Sequence, residues 1–265
     1  PSGGTWSGNG VTPAGVFTPF SIGKFILTYS FTNQATGCSN QDTMVVTVVA
    51  PQTVNAGNGF GICINASPVT LSGYSPSGGT WSGSNGINGN IFNPSIAGAG
   101  NHILTYSYGT GNCLSSDTIN VIVHPLPIVS VNSQTICYGQ SVTLTANGAS
   151  SYLWSNGATT NAITVSPSST FNYTVTGTDT ITGCSNNAIS TVTVNPLPNV
   201  IYTHDTLECI NSIVQFNNAT IGAQNYLWNF GDGVTSNVSN PAHSYSTQGK
   251  FSILLLATSQ HGCID

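Results

Sequence analysis

Charge is nearly missing from this 265-residue chain. Asp, Glu, Lys and Arg together make up 3% of it, against roughly a quarter in an ordinary soluble domain. The only cations are Lys24 and Lys250, and there is no arginine. Phosphate neutralisation needs clustered Lys and Arg, so nucleic acid is excluded as a partner. An electrostatic hold on anionic lipid is excluded for the same reason. Eighteen consecutive apolar residues occur nowhere, so no membrane-crossing helix and no direct membrane insertion is expected. No leader sequence is visible and the first residue is not Met, which reads as a mature or fragmentary chain. The chain has no CxxC, no HExxH and no GxSxG, so zinc-ribbon, zincin and serine-hydrolase chemistry are not expected.

Aromatic residues are not scarce. Ten Tyr, ten Phe and four Trp distinguish this chain from a disordered one, which is usually charged and poor in aromatics. The remaining polarity comes from Ser, Thr, Asn and Gly, which suit strands and turns. The tryptophans are periodic: Trp6, Trp81, Trp154 and Trp228 recur every 73–75 residues. Each is followed 30–35 residues later by a cysteine (Cys38, Cys113, Cys184, Cys263). The last three are preceded by another, 17–19 residues back (Cys63, Cys137, Cys209). PSGGTWSG stands at both 1–8 and 76–83, and GKFILTYS (23–30) matches GNHILTYS (100–107). Four repeats follow, with boundaries set by VVAPQT, HPLP and NPLP: residues 1–50, 51–124, 125–195 and 196–265. Proline-rich junctions are stiff and extended, so the expected arrangement is an extended string of domains.

Inside a repeat the hydrophobic period is two, as in SVTLTA (141–146) and FNYTVTG (171–177). That alternation marks half-buried antiparallel strands, and Asn-Gly pairs at 85–86, 147–148 and 156–157 mark turns. About seven short strands per ~74 residues, with a Cys…Trp…Cys order, predict an all-β chain of tandem immunoglobulin-like β-sandwiches. One tryptophan at the same place in every repeat reads as a core residue, so Trp6, Trp81, Trp154 and Trp228 are all expected inside. The cysteines lie near strand ends, not at the strand centres bridged in antibody domains. Intradomain pairs Cys63–Cys113, Cys137–Cys184 and Cys209–Cys263 are expected as edge clamps, with pairing across domains as the alternative. Cys38 has no predicted partner. Residues 1–50 lack the first two strands of a sandwich and residues 196–265 the last, so both are expected to be cut domains.

The last repeat resembles a PKD domain through Trp228-Asn229-Phe230-Gly231-Asp232-Gly233, Asn240-Pro241-Ala242-His243-Ser244-Tyr245 and Gly249-Lys250-Phe251. The first two, with GGTWSG and LTYS, resemble the Ig-like repeats of giant surface adhesins of Bacteroidota, including gliding-motility proteins. That resemblance implies export by the type IX route, an extracellular or bacterial cell-surface location, and a role in adhesion, gliding or filament building. Asp-Thr-apolar triplets at 42–44, 117–119, 179–181 and 205–207 resemble the O-glycan acceptor motif of that phylum. Thr43, Thr118, Thr180 and Thr206 are the candidate glycosylation sites, although Asp-Thr also opens strands after turns.

Catalysis needs titratable groups gathered in one pocket. Here five His and seven acids are spread over four repeats, so no catalytic residue, no enzyme activity and no cofactor are expected. Calcium asks for six to eight oxygens. The weak candidates are Asp205, Glu208 and Asp232, and the expectation is no metal. The expected function is a structural stalk or filament segment of a secreted surface adhesin. A glycan-binding module, of the adhesin or of a secreted polysaccharide-degrading enzyme, and a polymerising extracellular filament subunit are the alternatives. Expected partners are neighbouring repeats of the same longer chain, with surface glycans or other cell-surface proteins as further candidates.

Overall fold

The computed structural model describes residues 2–265, with only the backbone of Asn112. The chain divides into two compact units, one ending at His124 and the other beginning at Pro125. Each is built of antiparallel strands with one parallel pairing.

In the first unit, β1 (Thr5–Ser7), β2 (Gly23–Thr32) and β3 (Ser39–Val48) form an antiparallel sheet in the order β1-β2-β3. A complete sandwich follows. Its strands are β4 (Phe60–Cys63), β5 (Val69–Thr70), β6 (Thr80–Ser82), β7 (Ile87–Asn88), β8 (Ile91–Phe92), β9 (Gly100–Tyr108) and β10 (Ser115–His124). One sheet runs β4-β10-β9-β6, with β4 parallel to β10, and the other β5-β8-β7. A single helical turn, α1 (Pro94–Ala97), is capped by the Asn93 side chain accepting from the Ser95 N–H at 3.1 Å. Alternation fills the core: Ile119, Val121 and Val123 of β10 point in, towards Leu71, Trp81, Phe92, Leu104 and Tyr106.

The repeated GGTWSG has a packing cause. The Gly79 N–H donates to the Tyr106 hydroxyl at 2.8 Å, and the Gly4 N–H donates to the Tyr29 hydroxyl at 2.9 Å. A Cβ on Gly79 would lie 2.5–2.7 Å from the Ser107 carbonyl oxygen and the Tyr106 ring. Only glycine lets the chain pass so close to the tyrosine.

In the second unit, β11 (Ser130–Val131), β12 (Gln134–Cys137), β13 (Val142–Asn147), β14 (Ser151–Trp154), β15 (Ala162–Val165), β16 (Phe171–Thr178) and β17 (Ser185–Asn195) repeat the plan. The sheets run β12-β17-β16-β14 and β11-β13-β15, with β12 again parallel to the last strand. Their core holds Leu144, Trp154, Val175 and Val192. The last sandwich contains β18 (Tyr202–Thr203), β19 (Ile213–Gln215), β20 (Asn217–Asn218), β21 (Asn225–Asn229), β22 (Thr235–Ser236), β23 (Ala242–Ser244) and β24 (Leu254–Thr258). It pairs them as β18-β20, β19-β23 and β22-β21-β24. Val214, Phe216, Trp228, Phe230 and Leu255 form its core. Two facing sheets of short strands are the immunoglobulin-like arrangement. The fold is all-β, as the alternation predicts.

Trp81, Trp154 and Trp228 are buried, but Trp6 is a correction: it is half-exposed, its ring packing against Tyr29 with centroids 5.1 Å apart. The cause is that, among the described residues, no second sheet covers this one. In the register, Leu27 faces Met44 just as Leu104 faces Ile119. Yet Met44 is 47% exposed and Ile119 6%.

Candidate functional site: the covalent junction and the C-terminal cleft

All three predicted disulfide pairs are overturned. Cys137 is bonded to Cys263, 126 residues away, with their Cα atoms 5.5 Å apart. Cys113 and Cys209 are free and exposed, as is Cys38, and Cys63 and Cys184 are disulfide-bonded. The geometry explains why Cys137 and Cys184 do not pair. Cys137 ends β12 and stands opposite Asn195, the last residue of β17, while Cys184 directly precedes the first residue of that strand. Eleven strand residues at about 3.3 Å each separate them by roughly 33 Å, whereas bridged Cα atoms lie within about 7 Å. Cys63 and Cys113 stand at opposite ends of the ten-residue β10 in the same way. The two cysteines of a sandwich thus mark its opposite poles, and Cys137–Cys263 joins one sandwich to the next.

The junction is tightly built. Cys263 is 1% exposed and its sulfur lies 3.9 Å from the Asn195 carbonyl oxygen. The Tyr138 N–H donates to the same carbonyl at 2.9 Å. The turn carrying Cys263 is closed by the Ser259 N–H to the Cys263 carbonyl, 2.8 Å, and by the Cys263 N–H to the Ser259 hydroxyl, 3.1 Å. Past Pro196-Leu197-Pro198, Asn199 and Ile221 exchange backbone hydrogen bonds of 2.9 and 3.1 Å, so the linker is gripped immediately after it leaves β17.

Below the junction, the last sandwich carries an aromatic stack. His243 lies flat on Phe230, centroids 4.3 Å apart, and edge-on to Tyr245, which stacks on Phe251 at 4.2 Å. The His243 Nε2 is 2.7 Å from Asp232 Oδ2, and the Tyr245 hydroxyl donates to the Phe230 carbonyl at 3.1 Å. Burial pushes the Asp232 acid up. Bonds from the Val234 N–H and His243, with the His243 charge and its own N–H, outweigh that and hold it below the ordinary carboxylate value. Tyr245 is raised, first by burial and then by the Asp232 charge. This set ties the WNFGDG turn to β23 and is structural. Beside it opens a cleft of about 590 Å³, lined by Phe216, Tyr245 and Phe251 and by Asp205, Glu208 and Cys209.

The candidate calcium ligands are not brought together: Asp205 and Glu208 line the cleft, and Asp232 is engaged with His243. Among the described residues, no three His, Cys, Asp or Glu side chains are gathered for a metal ion. The histidines are dispersed too, His102 bonding the Gly98 carbonyl at 2.9 Å and His204 the Asp205 carbonyl at 2.7 Å. Thr43, Thr118, Thr180 and Thr206 are all exposed. Their aspartates differ in role. Asp117 accepts the Ala56 N–H at 2.9 Å and tethers the start of its sandwich, its acid lowered by that bond and by the Thr118 N–H against a smaller upward effect of burial. Asp179 caps the turn after β16 by accepting from the Ile181 N–H, 2.9 Å. Cys63 and Cys137 end strands and Cys38 and Cys184 directly precede them, but a spacing does not say which pole a strand end occupies.

Parts of this chain are similar to known proteins. A stretch of 58 residues, 20% of the chain, is 36% identical to the collagenase ColA of Bacillus cereus and spans 6% of that enzyme's length. Among solved structures, the ICAM-5 D1–D4 ectodomain fragment covers all of this chain and 90% of its own at 12% identity, TM-score 0.37. An E-to-A variant of the titin domains I67–I69 covers 74% of this chain and 84% of its own at 14% identity, TM-score 0.33. Drosophila OTK extracellular domains 3–5 cover 78% and 91% at 11% identity, TM-score 0.32. The strand order and register described above carry the fold assignment. Residues 193–265 match the PKD domain family, so immunoglobulin-like sandwiches here lead into a stretch similar to the PKD domain.

Proposed function

We propose that the chain is a load-carrying stalk segment of a secreted bacterial cell-surface adhesin, holding other parts of its polypeptide away from the cell, and that it is not an enzyme. The observation that supports this reading is the Cys137–Cys263 bond, which adds a second covalent link across the proline junction between consecutive sandwiches. Force applied along the chain is then borne by a disulfide as well as by backbone hydrogen bonds. Disulfides also fit an oxidising, extracellular setting. Low charge makes such a stalk insensitive to salt, and two lysines with no arginine leave few sites for trypsin-like proteases. Export by the type IX route, gliding motility and O-glycosylation of the four exposed threonines belong to the same proposal. Intact-mass measurement of the native protein tests the last of these, since a mass equal to the bare chain refutes it.

The deciding experiment is an exchange. In the parent adhesin, unrelated immunoglobulin-like sandwiches of equal total length should preserve attachment, while deletion of residues 51–265 should weaken it. Loss of attachment on exchange would show that specific surfaces of this segment are needed and would refute the stalk. One observation favours a second reading: the aromatic-lined cleft beside Tyr245 and Phe251 has the stacking faces a sugar ring uses. A glycan array scored against Phe251→Ala tests it.

A further inference from the structure

The free cysteines fall into a pattern that the bonded pair explains. Cys63, Cys137 and Cys209 share one local geometry: the N–H three residues on (Ala66, Gln140, Ser212) donates to the cysteine carbonyl at 3.0 Å in each case. Cys38, Cys184 and Cys263 share another: the residue that closes the hairpin (Asn33, Asp179, Ser259) donates its N–H to the cysteine carbonyl at 2.8–2.9 Å. The likeness reaches the sulfurs. Cys38 Sγ lies 3.9 Å from the Thr36 carbonyl oxygen, and Cys184 Sγ lies 3.9 Å from that of Thr182. Of these six, Cys63, Cys137, Cys184 and Cys263 are disulfide-bonded, while Cys38 and Cys209 are free and exposed.

Cys137–Cys263 sets the rule of combination. A cysteine of the first geometry in one sandwich bonds the hairpin cysteine of the sandwich that follows. By that rule Cys209 takes a hairpin cysteine from a sandwich placed after the last one, and Cys38 takes a cysteine of the first geometry from a sandwich placed before the first sheet. We infer that Cys209 and Cys38 are the two complementary halves of an intermolecular or inter-repeat staple, and that two copies of this chain join head to tail through a Cys209–Cys38 disulfide. Each joint removes two thiol hydrogens and forms one S–S bond. The two electrons and two protons pass to a small disulfide oxidant, which leaves as two thiols. Cys113 is free as well, but it lies in a 3-10 turn, Gly111–Cys113, unlike the hairpins of Cys38, Cys184 and Cys263. Residues 2–50 of its own chain hold the preceding position, so it is not the acceptor. The inference rests on the tandem-scaffold reading, but its test reads cross-links and not attachment, so either can fail alone.

The purified 265-residue chain, with its existing disulfides intact, is incubated with oxidised glutathione and resolved on non-reducing gels, and cross-linked peptides are identified by mass spectrometry. The expected result is a ladder of multimers in which Cys209–Cys38 is the prevailing new bond. Cys209→Ser and Cys38→Ser should each abolish the ladder, and Cys113→Ser should leave it intact. Both serine variants alter exposed positions, and circular dichroism confirms that they fold. A chain that stays monomeric, a prevailing Cys209–Cys209 bond, or Cys209–Cys113 in equal yield overturns the proposal. In the native protein, a Cys209–hairpin bond within one polypeptide leaves the non-reduced mass unchanged and one between copies multiplies it. Either bond supports the staple, and a free Cys209 thiol there refutes it.

Discussion

Breaking the Cys137–Cys263 bond gives the most direct test of the covalent joint. Cys137→Ala is the preferred perturbation, because it leaves the 1%-exposed Cys263 sulfur in its pocket and removes only the cross-link. The size of the effect follows from the structure. With the third sandwich folded, Cys137 is held opposite Asn195, so unfolding the last sandwich releases a loop of 68 residues between Asn195 and Cys263. Chain-entropy arithmetic for a loop of that size gives about 4.4 kcal/mol at 25 °C, and native disulfides typically deliver about 2–4. A loss of about 3–4 kcal/mol is expected for the last sandwich. The third should lose nearly as much, since its own unfolding opens a loop of similar length. The sandwich at 51–124 should be unchanged. Urea-dependent hydrogen exchange read by mass spectrometry separates the three through peptides covering Leu254–Thr258, Phe171–Thr178 and Gly100–Tyr108. A loss below about 1 kcal/mol in the last sandwich, or an equal loss in the 51–124 sandwich, would refute the loop argument.

Other consequences are open to measurement. Trp228→Ala should cost about 3–5 kcal/mol in denaturant unfolding and Trp6→Ala about 1 or less, because Trp6 is not enclosed. Trp154→Phe should destabilise its sandwich by about 1 kcal/mol more than Trp228→Phe does its own. The Trp154 Nε1 donates to the Thr160 carbonyl at 2.8 Å, whereas the buried Trp228 Nε1 has no partner among the described residues. Gly79→Ala should cost about 1–3 kcal/mol by displacing the Tyr106 ring. Asp232 is lowered in the folded state, so its contribution to stability is present above the ordinary carboxylate value and is lost as pH falls through the lowered one. Melting temperature followed from pH 7 to 2 should therefore fall more steeply for the parent chain than for Asp232→Asn, and parallel curves would contradict the Asp232–His243 assignment.

Much of this architecture is legible in sequence because its signals are local. Alternation in FNYTVTG and SDTINVIV fixes which side chains face inward, and the recurrence of one tryptophan marks the repeats. The glycines of GGTWSG are equally legible as constraints, although their partner, a tyrosine hydroxyl 25 or 27 residues away, is not. Two matters were decided only by tertiary structure. Burial of a core-patterned residue depends on whether a second sheet covers it, so Trp6 and Met44 carry the pattern of Trp81 and Ile119 without their enclosure. Cysteine pairing depends on which pole of a sandwich each strand end occupies. The eleven residues of β17 carry Cys184 some 30 Å from Cys137, and only the fold of the following sandwich brings Cys263 to it.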